Sequence, residues 1–204
     1  MRILVLVLMS LMATTAMARS PWYVGGGIGA TRYDVNVDFP DDVNLDLDSW
    51  EGGFQLFGGY QLGQQWAIEA GYIDFGETKD FDFDAQVIGI GSFYESTGIY
   101  VNGQYHIPIA KTLSLDLSGG WIFAEADAGE VFPPNTGGNP QTDSYDDNGI
   151  MLGLAFTWQA NEALYIRGIT NYFVLDYGDV DYNTNSSNTL KNPWRLGVDL
   201  IWNF

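Results

Sequence analysis

The 204-residue chain sets 26 Asp plus Glu against 8 Lys plus Arg, a formal net charge of −18, so it lacks the cationic footprint that nucleic-acid binding requires. With no cysteine, it forms neither disulfides nor cysteine-ligated metal sites. Its 25 Gly, only 7 Pro and a 15% share of aromatics describe a folded chain and not a disordered one.

Residues 1–18 carry the pattern of a secretory signal. Met1 and Arg2 give a positive start, Ile3 to Ala13 is an apolar run too short to span a bilayer as a helix, and Ala16, Met17 and Ala18 form a small-x-small cleavage site. Cleavage is expected after Ala18, leaving 19–204 as one domain. No later stretch reaches the length of a transmembrane helix, so a membrane location requires a closed β-barrel.

The remaining chain reads as strands of period two. The first, Trp22 to about Tyr33, turns Trp22, Val24, Gly26, Ile28 and Ala30 outward and Tyr23, Gly25, Gly27, Gly29 and Thr31 inward. Inward glycines leave room for larger side chains opposite in a narrow barrel. Residues 34–50 read as an acidic loop. The second strand, about Gly52 to Leu62, puts Phe54, Leu56 and Tyr60 outward, and Gly63, Gln64 and Gln65 form a short link. The third runs from Trp66 to Phe75 with Trp66, Ile68 and Tyr72 outward and Glu69 inward. Residues 76–96 read as a long loop whose middle, 86–94, has strand character. The fourth strand, Ile99 to Ile107, turns Asn102, Gln104 and His106 inward, and Pro108 to Thr112 read as a turn.

The fifth strand alternates Leu113, Leu115, Leu117, Trp121 and Phe123 against Ser114, Asp116 and Ser118. A loop at 125–148 precedes the sixth strand, Gly149 to Trp158, and a short link at 159–163 leads to the seventh, Leu164 to about Leu175, with Arg167 and Asn171 inward. After a loop at 176–193, the closing strand presents Trp194, Leu196, Val198, Leu200, Trp202 and Phe204 on one face and Arg195, Gly197 and Asp199 on the other.

Strands, links and loops add up to an all-β fold. The pattern predicts an eight-stranded antiparallel up-and-down transmembrane β-barrel with short periplasmic turns and four long extracellular loops. Aromatics gather near both rims of the apolar faces, two girdles that a soluble lipocalin-like barrel would not need. The expected location is the cell outer membrane. The expected surroundings are outer-membrane lipid and lipopolysaccharide, with no nucleic-acid partner.

Phe57, Gly58, Gly59, Tyr60 and Gln61, followed by Glu69, Ala70, Gly71 and Tyr72, resemble the second hairpin of the OmpA transmembrane domain and its eight-stranded relatives. Trp22 and Tyr23, Pro108 and Ile109, Arg167, and Gly197 to Phe204 fall in corresponding places. The resemblance implies that Glu69 and Arg167 pair in the lumen. The family's lumenal lysine falls on Gln104 and a second lumenal acid on Ala155, which leaves a switchable gate built on those partners unsupported. A terminal Phe204 with Trp202 resembles the signal read by the barrel-assembly machinery, and no peptidoglycan-binding half is expected after it.

The inward charges Glu69, Asp116, Arg167, Arg195 and Asp199 are expected to form a salt-bridge network that plugs the lumen. Catalysis is not expected. His106 is the single histidine, placed at the short-turn mouth with no serine and carboxylate evident beside it, and acyl-transfer chemistry needs all of these within reach. Nor is a cofactor or resident metal expected. Loop acids such as Asp38, Asp41 and Asp42, or Asp80, Asp82 and Asp84, offer oxygen ligands for divalent ions but lack the spacing and glycine of an EF-hand. The function expected is structural, with surface interaction through acidic loops that contact host, phage or neighbouring cells. The alternatives are a narrow channel for small solutes and a lipid A-modifying enzyme.

Overall fold

The computed structural model describes residues 21–38, 44–80, 91–131, 142–175, 180–182, 186–190 and 192–204. The signal-peptide reading of 1–18 lies outside them, as do Asp41, Asp42, Asp82 and Asp84 of the acidic loops. The strands are β1 (Trp22–Asp38), β2 (Asn44–Gln61), β3 (Trp66–Asp80), β4 (Gly91–Ala110), β5 (Leu113–Val131), β6 (Thr142–Gln159), β7 (Leu164–Val174), β8 (Val180–Tyr182), β9 (Ser186–Leu190) and β10 (Trp194–Asn203). Each barrel strand pairs antiparallel with its neighbours in the order β10-β7-β6-β5-β4-β3-β2-β1, and β10 pairs with β1 to close the ring. Closure leaves no unpaired edge at bilayer depth, as a membrane-spanning sheet requires.

Alternation decides which side chains meet lipid. Ile28, Leu56, Ile99, Phe123, Leu152, Phe156, Val198 and Leu200 all stand exposed on the outer surface. Their inward neighbours Gln55, Tyr100, Ile122, Met151, Asp199 and Ile201 are buried. An exposed apolar belt around a buried polar interior inverts a soluble protein and matches a barrel solvated by lipid. Ring pairs mark its rims. Trp22 packs on Tyr60 and Trp66 on Tyr105 near the short turns, at 4.7 Å in both cases. Phe54 packs on Tyr72 at 5.9 Å and Trp50 on Trp194 at 5.5 Å at the other rim.

The short links are tight. Leu62 N donates to the Trp66 carbonyl and Ala160 N to that of Leu164, while Asn161 Oδ1 accepts from the backbone of Ala163 and Leu164. Pro108, expected in a turn, lies on β4, which continues to Ala110 through an irregularity between those two residues. The turn itself is only Lys111 and Thr112.

The larger correction concerns the long connections. Residues 34–38 and 44–50, read as loop, are strand, with β1 and β2 paired from Trp22↔Tyr60 up to Asp38↔Asn44. β4 and β5 likewise stay paired up to Gly91↔Val131, and β5 and β6 up to Gly129↔Thr142. A transmembrane strand needs about 9–11 residues, and β4 has 20, so roughly half of it stands beyond the bilayer. The last long connection holds the small β8–β9 hairpin, and β9 pairs with the β1 arm at Val35–Asp38. The fold is therefore an eight-stranded barrel carrying paired strand arms at one end. Trp50, assigned by sequence to a loop, sits on β2 in the arm-side girdle.

Candidate functional site

The lumen is stratified along the barrel axis, and each stratum follows from strand register. At its middle, Glu69 (β3), Arg167 (β7) and Asp199 (β10) converge. Asp199 and Arg167 are direct cross-strand partners. Arg167 Nε donates to Asp199 Oδ2 at 2.8 Å, while Nη1 and Nη2 donate to Glu69 Oε2 and Oε1 at 2.9 and 3.3 Å. Such a fork on a carboxylate is the strongest kind of charge-assisted contact. The Arg167 guanidinium also lies 4.4 Å from the centre of the Phe57 ring. Glu69 accepts from Tyr100 at 3.0 Å and from Tyr23 at 3.3 Å.

Arg195 reaches this cluster through an intermediary. Its Nη1 donates to Gln55 Oε1 at 3.1 Å, and Gln55 Nε2 donates to Asp199 Oδ1 at 2.6 Å. Two arginines thus balance two carboxylates, all at or below 2% exposed. These large side chains are among the most deeply buried of the described residues. Glycine makes their packing sterically feasible. A Cβ on Gly27 would lie 2.0 Å from Asp199 Oδ1 and 2.4 Å from the Val198 carbonyl, and one on Gly59 would lie 2.0 Å from the Tyr23 ring.

Towards the arms the lumen turns apolar. Ile73, Phe75, Ile122, Met151 and Phe173 are at most 1% exposed, and Phe75 meets Phe173 edge-to-face at 4.9 Å. Sequence reasoning missed this plug. The signal was present, because Ile73 and Phe75 keep the inward phase of Glu69 and Gly71, and Ile122 keeps that of Asp116. Nearby, Gly76 takes a φ of +92°, a conformation that favours glycine, where β3 bulges between Asp74 and Glu77.

Towards the short turns lies Asp116, apart from the cluster expected to include it. It pairs in register with His106 across the β4–β5 hairpin. His106 Nδ1 lies 2.8 Å from Asp116 Oδ1, Ser114 Oγ donates to the same oxygen at 2.8 Å, and Thr157 Oγ1 donates to Oδ2 at 2.5 Å. The expectation that His106 has no serine and carboxylate beside it is therefore wrong. The chemistry still differs from a hydrolytic triad, because both hydroxyls bond the carboxylate and neither bonds the imidazole. Around this dyad a cavity of about 360 Å³ opens at the mouth, with Arg167 at its inner end. Trp202 stands in the outer belt, and the Phe204 backbone N–H reaches the Trp22 carbonyl at 3.5 Å, seating the last residue against the first strand.

Comparison with known proteins agrees with this architecture. The family model described as outer membrane protein beta-barrel domain matches residues 3–201. No curated protein matches the chain. Among solved structures, the outer membrane protein OprG from Pseudomonas aeruginosa is 14% identical with a TM-score of 0.62, covering 91% of this chain and 97% of its own. Neisserial surface protein A is 10% identical at 0.53, covering 92% and 100%. A major outer membrane protein from Thermus thermophilus is 12% identical at 0.53, covering 90% and 99%. Likeness at these identities concerns fold, and it spreads over small outer-membrane barrels more widely than the OmpA-type hairpin alone suggests.

Proposed function

Because this chain belongs to the outer membrane protein β-barrel family, we propose that it is an anchored surface protein whose interactions are made by its strand arms, with a lumen that serves stability. The observation that carries this reading is the buried charged layer in mid-lumen. Arg167, Glu69, Asp199, Gln55 and Tyr100 are buried together, Arg195 is buried on their arm side, and the apolar plug lies towards the arms. A solute entering at the short turns meets Arg167 already held by two carboxylates. The narrow-channel alternative would need this cluster to come apart, leaving buried charges unpaired.

In this reading residues 1–18 direct export and are removed after Ala18, and the short turns face the periplasm. The assembly machinery reads Trp202 and Phe204. The arms stand outside the cell among lipopolysaccharide, where they meet a host, phage or neighbouring-cell partner. Acids cluster there. In register, Glu77 opposes Glu95, Glu95 opposes Asp127, and Glu125 opposes Asp146. Like charges in such positions weaken a sheet, and their presence on the arms is better suited to a surface facing ions or a basic partner than to packing.

The test is an adherence assay on cells producing the parent protein, a variant with the β4–β5 arm shortened in matched pairs, and the lumen variant Glu69→Gln. Loss of adherence with the shortened arm, and retention with Glu69→Gln at equal surface levels, is the expected outcome. The reverse pattern would move the function into the lumen.

A further inference from the structure

The cavity at the short-turn mouth is distinct from the sealed stratum above it. At about 360 Å³ it falls within the range of roughly 300–1,000 Å³ that small-molecule sites occupy. Its lining is unusual for a site of that size. Six side-chain amides, on Gln61, Gln64, Gln65, Gln104, Gln159 and Asn203, contribute to the walls together with the His106–Asp116 dyad.

Two of these groups are unsatisfied. Asn203 is only 7% exposed, and its Oδ1 has no hydrogen-bond partner. His106 Nε2 is buried and equally unpartnered. Native interiors seldom leave such atoms unpaired. His106 is on β4 and Asn203 on β10, strands on opposite sides of the ring, so the two residues stand in opposite walls of the cavity.

The chemistry of the lining selects the ligand class. An amide offers a donor and an acceptor at once, and six of them contribute to these walls. A carboxylate ligand would bring only acceptors, and an ammonium only donors. A hydroxyl brings both. Charge points the same way, since Arg167 is engaged by Glu69 and Asp199, and Asp116 by three donors. Among the described residues lining the cavity, that leaves no uncommitted buried charge to hold an ion. Tyr23 and Tyr165 add aromatic surface to the same walls. We propose that this vestibule binds a small neutral molecule rich in hydroxyl groups, of the size and chemistry of a mono- or disaccharide, between His106 and Asn203.

The test uses the full barrel refolded in dodecylphosphocholine, a detergent without a sugar headgroup. NMR follows the His106 ring and the Asn203 side-chain amide during titration with glucose, N-acetylglucosamine and maltose. At least one sugar should give saturable shifts at both groups, with a Kd on the order of 1 mM. His106→Phe and Asn203→Leu should each weaken that binding by about tenfold, the factor that roughly 1.4 kcal/mol from one lost hydrogen bond supplies. Circular dichroism and heat-dependent gel mobility establish that both variants fold. If a variant does not, competition between the sugars at the parent site gives the same discrimination, because one shared site yields mutual displacement. Non-saturating shifts with all three sugars, equal in size to those at the exposed Glu162 amide, would overturn the proposal. So would saturation by ammonium acetate in their place, which would assign the cavity to an ion.

Discussion

Arg167→Ala is the substitution that most directly probes the mid-lumen. The parent guanidinium makes three hydrogen bonds to two carboxylates and sits over Phe57, at 2% exposure. Truncation removes all of these and leaves Glu69 and Asp199 buried, with Arg195 as the remaining cation and Gln55 between it and Asp199. Removing one partner of a buried pair costs about 3–5 kcal/mol, because the abandoned charge keeps its desolvation penalty. Taking a urea m-value of about 2 kcal/mol/M, the unfolding midpoint should fall by roughly 1.5–2.5 M. Lys111→Ala, on an exposed turn, should stay within about 0.5 kcal/mol of the parent. Tryptophan fluorescence of the barrel refolded in lipid vesicles reads both midpoints. The mechanism makes a second demand. Neutralising Glu69 as well, in Glu69→Gln/Arg167→Met, should recover a substantial part of the loss, because Asp199 then balances Arg195 through Gln55 and no net charge is left buried. Equal midpoints for Arg167→Ala and Lys111→Ala, or a double variant no more stable than the single, would refute the reasoning.

Other consequences test separate parts of the fold. Gly27→Ala forces a methyl against Asp199 and the Val198 backbone and should cost about 1–3 kcal/mol of unfolding free energy. Gly168→Ala, whose Cβ meets nothing within 4 Å, should be nearly neutral in the same titration. Phe173→Ala removes one ring of the apolar plug and should destabilise by about 3–5 kcal/mol, read by the same fluorescence midpoint. Leu152→Arg places a charge on the outer belt, where the penalty near the bilayer midplane is about 2–4 kcal/mol. Its loss of stability should shrink when the host bilayer is thinned. Deleting Phe204 should lower assembly in cells, counted as folded barrel in outer-membrane fractions, more than it lowers refolding yield in detergent. Equal losses would remove the assembly-signal reading.

Within the lipid belt the strands were legible because lipid enforces the pattern. Leu113, Leu115, Leu117, Trp121 and Phe123 must be apolar where they face hydrocarbon, and their phase fixes every inward residue between them. Beyond the girdles that demand disappears. Residues 34–38, 44–49 and 125–131 remain paired strand, yet water on the outside asks for no apolar face, so a reading based on hydrophobic period two stops at the membrane and reports a loop. Pairing continues there through backbone hydrogen bonds, which composition does not display.

The site was legible in part for a related reason. Alternation identifies which charges point inward but says nothing about their height along the barrel. Glu69, Arg167 and Asp199 share a level because register brings them there. Asp116 lies close to the β4–β5 turn and so meets His106 at the mouth instead. Arg195 lies nearer the arms than Asp199 on the same strand, which is why Gln55 bridges the two. Phe75 and Phe173 escaped notice because an apolar residue with inward phase carries no flag in a sequence whose outer face is also apolar.

Planar-bilayer conductance of the refolded parent protein tests the central claim most directly. A lumen filled by Arg167 and its partners, and capped by the Phe75–Phe173 plug, should show no steady unitary current at any holding voltage the bilayer survives, with the arms intact or shortened. Stable ohmic openings of the parent, persisting after the arms are shortened, would contradict the account and make the barrel a channel.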